Sequence, residues 1–273
     1  MLILVGIALA VVSLLASLRY GSRGALPLIG LLCLGTAMWL GAALGLVPIM
    51  GLLAALQIER QQTYGRVMAM ACTPAAGLCL WQLIQARDGI QRQEHAAAVL
   101  EQFQALGMAV EEGGQTLLAM INFVLRVQPA IEMATLLLTF VVAYRLSQGL
   151  ALRLGLSLPA PLPLSLWRPW EELIWVLIAA LGLSLLGDGL LADLGLNLIV
   201  LMGIIYGVQG VAVLRFFAQR QRVPPLVELL FYVGLFFIAV IAGLAFLLLA
   251  GLGLLDTWFD WRRLRPAPTE EEA

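Results

Sequence analysis

Two long stretches of this chain contain no charged side chain. Leu194–Leu214 runs for 21 residues in this way, and Leu229–Leu255 runs for 27. A helix rises about 1.5 Å per residue, so about 20 apolar residues are enough to cross the hydrocarbon layer of a bilayer. A soluble domain would have to bury both runs in one core. The two runs therefore predict an integral membrane protein.

The composition agrees with a membrane protein. The chain is 62% hydrophobic and 12% charged, whereas soluble domains are about 25% charged. Its net charge of −1 gives no indication of a nucleic-acid partner. The apolar run from Leu2 to Leu18 has no basic residue before it, and a secretory signal peptide needs such residues. We therefore expect this run to be the first membrane helix, retained in the protein.

Apolar segments broken at charges, prolines and glycines predict the architecture. We expect an all-α, polytopic transmembrane helix bundle of seven to eight helices. Within the charge-free residues 25–58, Gly41, Gly45 and Pro48 favour two short or tilted helices rather than one. The other predicted spans are 2–18, 67–86, 129–143, 173–186, 196–214 and 225–255, with a short apolar piece at 117–127 that ends before Pro129.

Two further segments differ from the spans. In residues 87–112, apolar side chains recur from Ala96 to Val110 at i, i+3, i+4 spacing, which predicts an amphipathic interfacial helix. Residues 266–273 are Pro-containing and acidic and are expected to be a disordered tail. The remainder, 1–265, is expected to form a single transmembrane domain.

Small residues lie on one face of two predicted helices, a pattern that lets helix backbones approach closely. They are Gly6, Ala10, Ser13 and Ser17 in the first span, and Gly203, Gly207 and Gly210 in the span 196–214.

The arginines give a partial orientation. Basic loops at 145–168 and 215–222 flank an acidic loop at 188–193, so the positive-inside rule places both basic loops in the cytoplasm. The arginines at 262–265 would fall on the opposite side if 225–255 crossed the bilayer once. A strong tilt, or a bend at a glycine of that segment, is the alternative, and the sequence leaves this open.

The residues of soluble enzymes are missing from the sequence. There is one histidine, His95, and no Cys/His set with metal-binding spacing. There is no lysine, so a P-loop lysine is excluded, and any ATP hydrolysis must come from another subunit. We therefore predict no catalytic residue, no metal and no cofactor, and a protein that is not an enzyme.

Polar residues within apolar spans are costly there and usually face a cavity or a partner helix. Glu132, Asn197, Tyr206 and Gln209 are the candidate ligand-binding residues. Glu132 follows Pro129 by three positions, where the dipole of a new helix would favour a carboxylate, and Arg126 could pair with it. The alternative is that these side chains only join helices through hydrogen bonds.

The end of the chain is dense in charged and aromatic residues. Asp256, Trp258, Asp260 and Arg262 are candidate partner-docking residues, and the two aspartates share a helix face. The alternative is Asp–Arg pairing at the membrane boundary with tryptophans as interfacial anchors.

Several motifs follow one another in order: Gln128-Pro129-Ala130, Asn197, Tyr206-Gly-Val-Gln209-Gly210, Gly253-Leu-Leu-Asp256 and Phe259-Asp260-Trp261-Arg262. In this order they resemble the YybS-like family of predicted bacterial membrane proteins, a domain of unknown function, with Trp261 where a Phe is expected. The resemblance implies a multi-pass protein of the bacterial inner membrane. That family is remotely similar to the substrate-binding membrane components of energy-coupling-factor transporters. This similarity implies a small-molecule ligand and a separate membrane coupling subunit with ATPases as partners.

Two functional hypotheses follow. In the first, the protein binds or transports a small solute or a lipid-like ligand, and a polar pocket lined by Tyr206 and Gln209 opens to one face. In the second, it is a non-transport membrane scaffold that docks cell-envelope or other membrane partners, and those side chains are buried and bonded to each other, with no pocket. Membrane lipid is an expected partner in both cases.

Overall fold

A computed structural model describes residues 2–85, 96–99, 101–102, 114–242 and 244–264. Over these ranges the secondary structure is helical and includes no strand, which confirms the all-α prediction. The helices are α1 Leu2–Tyr20, α2 Ser22–Leu40, α3 Ala42–Gly45, α4 Val47–Glu59, α5 Tyr64–Gln85, α6 Gly114–Arg153, α7 Leu173–Leu186, α8 Leu190–Arg220, α9 Pro225–Ala242 and α10 Leu244–Phe259, with a 3₁₀ turn at Leu164–Leu166. Most of the predicted amphipathic segment 87–112, and all of the tail 266–273, lie outside the described residues.

Among the described residues, four helices are long and apolar enough to cross a bilayer: α1, α5, α6 and α8. Many of their large apolar side chains are exposed, among them Leu80, Leu138 and Val208. Lipid is the solvent in which such a surface is stable, because a soluble monomer rarely exposes large contiguous apolar patches. The helical membrane bundle that the sequence predicts agrees with these observations.

The segment 25–58 divides as expected. Helix α2 ends at Gly41, whose φ of 98° lies in a region that favours glycine, and the chain resumes as the short α3 and then α4. Pro48 lies in the first turn of α4, where its missing N–H leaves no helical hydrogen bond unmade. The predicted break near Gly41 is confirmed.

The prediction of a break at Pro129 is wrong. Helix α6 is continuous over 40 residues, with Pro129 inside it. A proline in a helix interior removes one N–H donor and clashes with the carbonyl four residues earlier. In this chain a side chain from α8 bonds the backbone groups beside the proline, as described below.

The chain divides into two compact units. The first contains residues 1–161 and 187–197, and the second contains 162–186 and 198–273. The first residues of α8 therefore belong to the first unit and the remainder to the second. The single transmembrane domain over 1–265 stays a prediction.

In the first unit, α1, α4, α5 and α6 pack around one apolar core that includes Leu14, Met50 and Phe140. The small residues predicted to line one face of α1 are buried, which confirms that face as a packing surface. Gly51 of α4 lies so close to α1 that an added Cβ would collide with the hydroxyl of Ser13. This contact explains why small residues are needed on both helices.

Six arginines in the described part of the first unit lie at one end of it. Helices α1 and α2 meet there at Gly21, and the carboxylate of Glu59 in α4 accepts bonds from the N–H (2.8 Å) and Oγ (3.0 Å) of Ser22. The rings of Tyr64 in α5 and Tyr144 in α6 are 5.3 Å apart at the same end. By the positive-inside rule we expect this arginine end to face the cytoplasm. Its arginines are Arg19, Arg23, Arg60, Arg66, Arg145 and Arg153.

In the second unit, α8 and α10 run side by side in the same direction. The contact near the start of α10 pairs Phe246 with Gly203 and Gly207, and the contact near its end pairs Asp256 and Thr257 with Gln209, further along α8. An added Cβ on Gly210 or Gly253 would collide with backbone of the opposing helix. The predicted close contact through Gly210 is confirmed, and Gly253 is the small residue that complements it.

The direction of α10 resolves the orientation conflict of the sequence. Helix α9 turns back along α8, with Arg215 Nε 3.8 Å from Glu228 Oε1, and α10 returns parallel to α8. Helices α9 and α10 therefore run in opposite directions rather than forming one crossing. The arginines that follow α8 and those that follow α10 lie at the same end of the second unit, as the positive-inside rule requires.

Candidate functional site

Asn197 bonds three backbone groups and is 1% exposed. Its Oδ1 accepts from the N–H of Ala130 (2.9 Å), and its Nδ2 donates to the carbonyls of Arg126 and Asp193 (2.8 Å each). In an ideal helix the Ala130 N–H would donate to the Arg126 carbonyl. The neighbouring Leu125 carbonyl has no donor, because Pro129 lacks an N–H. The carboxamide of Asn197 thus spans the point of α6 that proline weakens.

The sequence suggested that Arg126 could pair with Glu132. In the structure, Arg126 pairs with Asp193 instead. Its Nε lies 2.7 Å from Asp193 Oδ1, across α6 and the first turn of α8. This ion pair and the Asn197 carboxamide join the same two stretches of chain. The carboxamide of Asn197 is therefore engaged in bonds within the first unit.

Glu132 lies in a different polar cluster of the first unit. Its Oε2 accepts from Gln82 Nε2 of α5 (2.6 Å), and its Oε1 accepts from Gln128 Nε2 one turn earlier in α6 (2.8 Å). No arginine in the described part of the chain pairs with it. The Oε1 of Gln82 is buried and finds no donor among the described residues.

The spacing of charged residues along α6 predicts that Glu132 lies within the bilayer. Arg126 and Arg145 are separated by 19 residues, or about 28 Å of helix, close to the hydrocarbon thickness of about 30 Å. Glu132 is the one charged residue between them. A carboxylate at this depth is uncommon and is a functional-site candidate by default.

Gln209 and Asp256 are brought together in the second unit. Gln209 is fully buried; its Nε2 donates to Asp256 Oδ2 (3.1 Å), and its Oε1 accepts from Thr257 Oγ1 (3.3 Å). Asp256 Oδ1 is buried and without a hydrogen-bond partner in the described part of the chain. Gln209 is thus engaged by α10 instead of facing an open pocket.

Arg262 is a buried charge of the second unit, with its side chain 0% exposed. Its Nε (3.0 Å) and Nη2 (2.7 Å) donate to Asp256 Oδ2, and its Nη1 donates to the carbonyls of Ser165 (2.9 Å) and Trp167 (3.0 Å). Four donor contacts satisfy the guanidinium, and a carboxylate neutralises it, which is the condition for burying a charge. Arg262 thereby attaches the 3₁₀ turn to the end of α10.

The other candidate docking residues are less buried. Asp260 lies 3.7 Å from Arg168 Nη1, and Arg168 also donates to the Thr257 carbonyl (3.0 Å). Trp258 is 56% exposed, and the neighbouring rings of Phe259 and Trp261 are stacked with centroids 5.9 Å apart. Of the four predicted docking residues, Trp258 is the one with a largely exposed side chain.

Tyr206 is 2% exposed, and its hydroxyl finds no partner among the described residues. Neither of two surface cavities in the structure involves it. One is an apolar groove of about 610 Å³ on the first unit, and the other, of about 530 Å³, lies beside Phe216 and Arg220 on the second. Within the described ranges no three His, Cys, Asp or Glu side chains are grouped as metal ligands. The assignment of Tyr206 to a ligand stays a prediction, as do those of the other site residues.

Some partners in these networks were not identified from the sequence. Gln82 and Gln128 are polar residues in or beside apolar spans, and the cost of burying them was a usable signal. The carbonyls of Ser165 and Trp167 carry no such signal, because every residue has one.

Comparisons with known proteins agree with the membrane assignment. Residues 1–257 match a family model described as predicted membrane protein (DUF2232). No curated protein matches the chain. No solved structure matches it either.

Proposed function

Since the chain belongs to the DUF2232 family of predicted membrane proteins, we propose that it is a non-transport membrane scaffold. In this proposal it lies in the bacterial inner membrane as a multi-pass protein, carries out no reaction, and docks a cell-envelope or other membrane protein. The observation that carries the proposal is the engagement of Asn197 and Gln209. Both are buried, and their carboxamides bond other groups of the protein.

The exposed aromatic side chains at the end of α10 are the proposed docking surface. Trp258 is 56% and Phe259 is 65% exposed, and the Arg262 network holds the backbone that carries them. Aromatic residues with a rigid support are common anchors of protein interfaces.

Co-purification from the native membrane in mild detergent, followed by mass spectrometry, tests the scaffold. We expect a protein partner that is retained by Trp175→Ala and lost on Trp258→Ala. Trp175 is a matched control, because it is also in the second unit and is 69% exposed. A bound small molecule, or ATPase subunits, recovered in place of a partner of this kind would contradict the scaffold.

Glu132 favours a second candidate function, the binding or transport of a small solute or a lipid-like ligand. A membrane-embedded carboxylate held by two amides, with no arginine beside it in the described part of the chain, suits a cation or a proton coupled to solute movement. The resemblance to the YybS-like family supports this candidate, with a coupling subunit and ATPases as the expected partners.

Reconstitution into vesicles separates the two candidates. Under the second, a proton or sodium gradient should be dissipated by the protein, and Glu132→Gln should abolish the flux. Glu59→Gln, at the arginine end, is the control that should leave it intact. An absence of flux contradicts the second candidate, and a flux that depends on Glu132 contradicts the scaffold.

A further inference from the structure

An open apolar groove follows α1 and the last two turns of α6 in the first unit. Its volume is about 610 Å³. The α6 side of the groove includes Gly149, where an added Cβ would meet nothing within 4 Å. The lining residues are Leu4, Ile7, Ala8, Val11, Val12, Leu146, Gly149, Leu150 and Arg153.

Arg153 is the one charged residue in this lining, and it is the last residue of α6. Its side chain is exposed, and it has no ion-pair partner within the ranges that the structure describes. It belongs to the arginine end, which we expect to face the cytoplasm.

The lining determines what can fill the groove. Aliphatic walls that open on the lipid-facing surface favour a hydrocarbon chain, because water cannot be satisfied there. An arginine beside such a groove offers a fork of N–H donors to a phosphate oxygen. The surrounding arginines raise the local concentration of anionic lipid over neutral lipid.

We propose that this groove binds an anionic phospholipid, with an acyl chain along α1 and α6 and the headgroup phosphate on Arg153. The inference is independent of the scaffold and transport proposals. It assigns a ligand class to a surface that neither of them uses.

Lipid binding to the delipidated full-length protein tests the inference. Phosphatidylglycerol or phosphatidylcholine would be added in detergent, and bound lipid counted by native mass spectrometry. Phosphatidylglycerol is expected to bind more tightly, and Arg153→Gln should weaken it about fivefold, the effect of one arginine contact to anionic lipid. Arg23→Gln is the matched control at the same end, outside the groove, and should change binding by less than about twofold.

A second variant tests the chain-binding part. Gly149→Leu fills the groove and should weaken both lipids, while its elution from size exclusion should match that of the unaltered protein. Three results would overturn the inference. They are equal binding of the two lipids, equal effects of Arg153→Gln and Arg23→Gln, and full competition by millimolar inorganic phosphate, which would make free phosphate the ligand.

Discussion

The Arg262 network and the Glu132 cluster differ in the partners that they provide for a charged side chain. In the second unit, the buried guanidinium of Arg262 meets the carboxylate of Asp256 and two backbone carbonyls. In the first unit, the carboxylate of Glu132 meets two side-chain amides, and no arginine joins it within the described residues. One arrangement pairs groups of opposite charge, and the other has a carboxyl group with no basic partner among the described residues.

This difference predicts different contributions of the two charged groups to stability. A neutralised pair with four donor contacts stabilises helix ends, and removing one member leaves a costly charge behind. A carboxylate bonded by neutral amides contributes less to stability, because another acceptor could serve the same donors. The comparison therefore predicts that changes at Arg262 act strongly on folding and that changes at Glu132 act on it weakly.

The largest effect is expected for Arg262→Met, which leaves Asp256 buried and unpaired. The free energy of unfolding should fall by about 3–5 kcal/mol, measured by denaturant titration in mixed micelles. Arg263→Met changes the next, exposed residue and should alter stability by less than about 0.5 kcal/mol. Equal losses for the two variants would remove the distinction between the two regions.

Gly253→Ala should be the next most damaging change. The new Cβ would collide with the carbonyl oxygen of Tyr206 and push α10 away from α8, at a cost of about 1–3 kcal/mol. Gly251→Ala, two residues earlier in the same helix, meets nothing within 4 Å and should be neutral or slightly stabilising. Thermal unfolding of both variants, followed by tryptophan fluorescence, is the measurement. Equal melting temperatures for the two variants would contradict the close approach of α10 to α8.

Asn197→Leu should cost about 1–2 kcal/mol, because two backbone groups of α6 lose a buried partner. The loss should be smaller in a Pro129→Ala background, in which Ala130 can donate to Arg126 without the proline clash. A double-mutant cycle measures this coupling. Strict additivity would mean that Asn197 does not act on the proline site.

The smallest change is expected for Glu132→Gln, within about 0.5 kcal/mol of the unaltered protein. The new amide oxygen can accept one of the two existing bonds. Glu132→Leu, which removes the acceptor, should cost more, about 1–2 kcal/mol. A loss of stability for Glu132→Gln as large as that for Arg262→Met would contradict this prediction. It would show that the charge of Glu132 is needed for folding.

Local features of the fold could be predicted from the sequence, and features that depend on distant residues could not. The span 173–186 coincides with α7, and the break near Gly41 follows from the backbone freedom of glycine. Pro129 signals a helix end, but the side chain that preserves α6 is Asn197, which lies 67 residues after the Ala130 N–H that it binds. Periodicity contains no information about such a pair.

The candidate sites show the same limit. The cost of polar groups in lipid identified Glu132, Asn197, Tyr206 and Gln209 as unusual, but it did not indicate what each one contacts. The contact of Gln209 with Asp256 depends on how closely α8 and α10 pack, which the glycines permit but do not specify.

The Asn197 bridge has a consequence for biogenesis. As the chain emerges from the ribosome, Pro129 enters the membrane well before residue 197 has been synthesised. Until α8 arrives, the weakened turn of α6 has to find its hydrogen bonds within its own backbone or in water. The hydrogen bonds beside Pro129 are therefore completed late in translation, when the carboxamide of Asn197 becomes available.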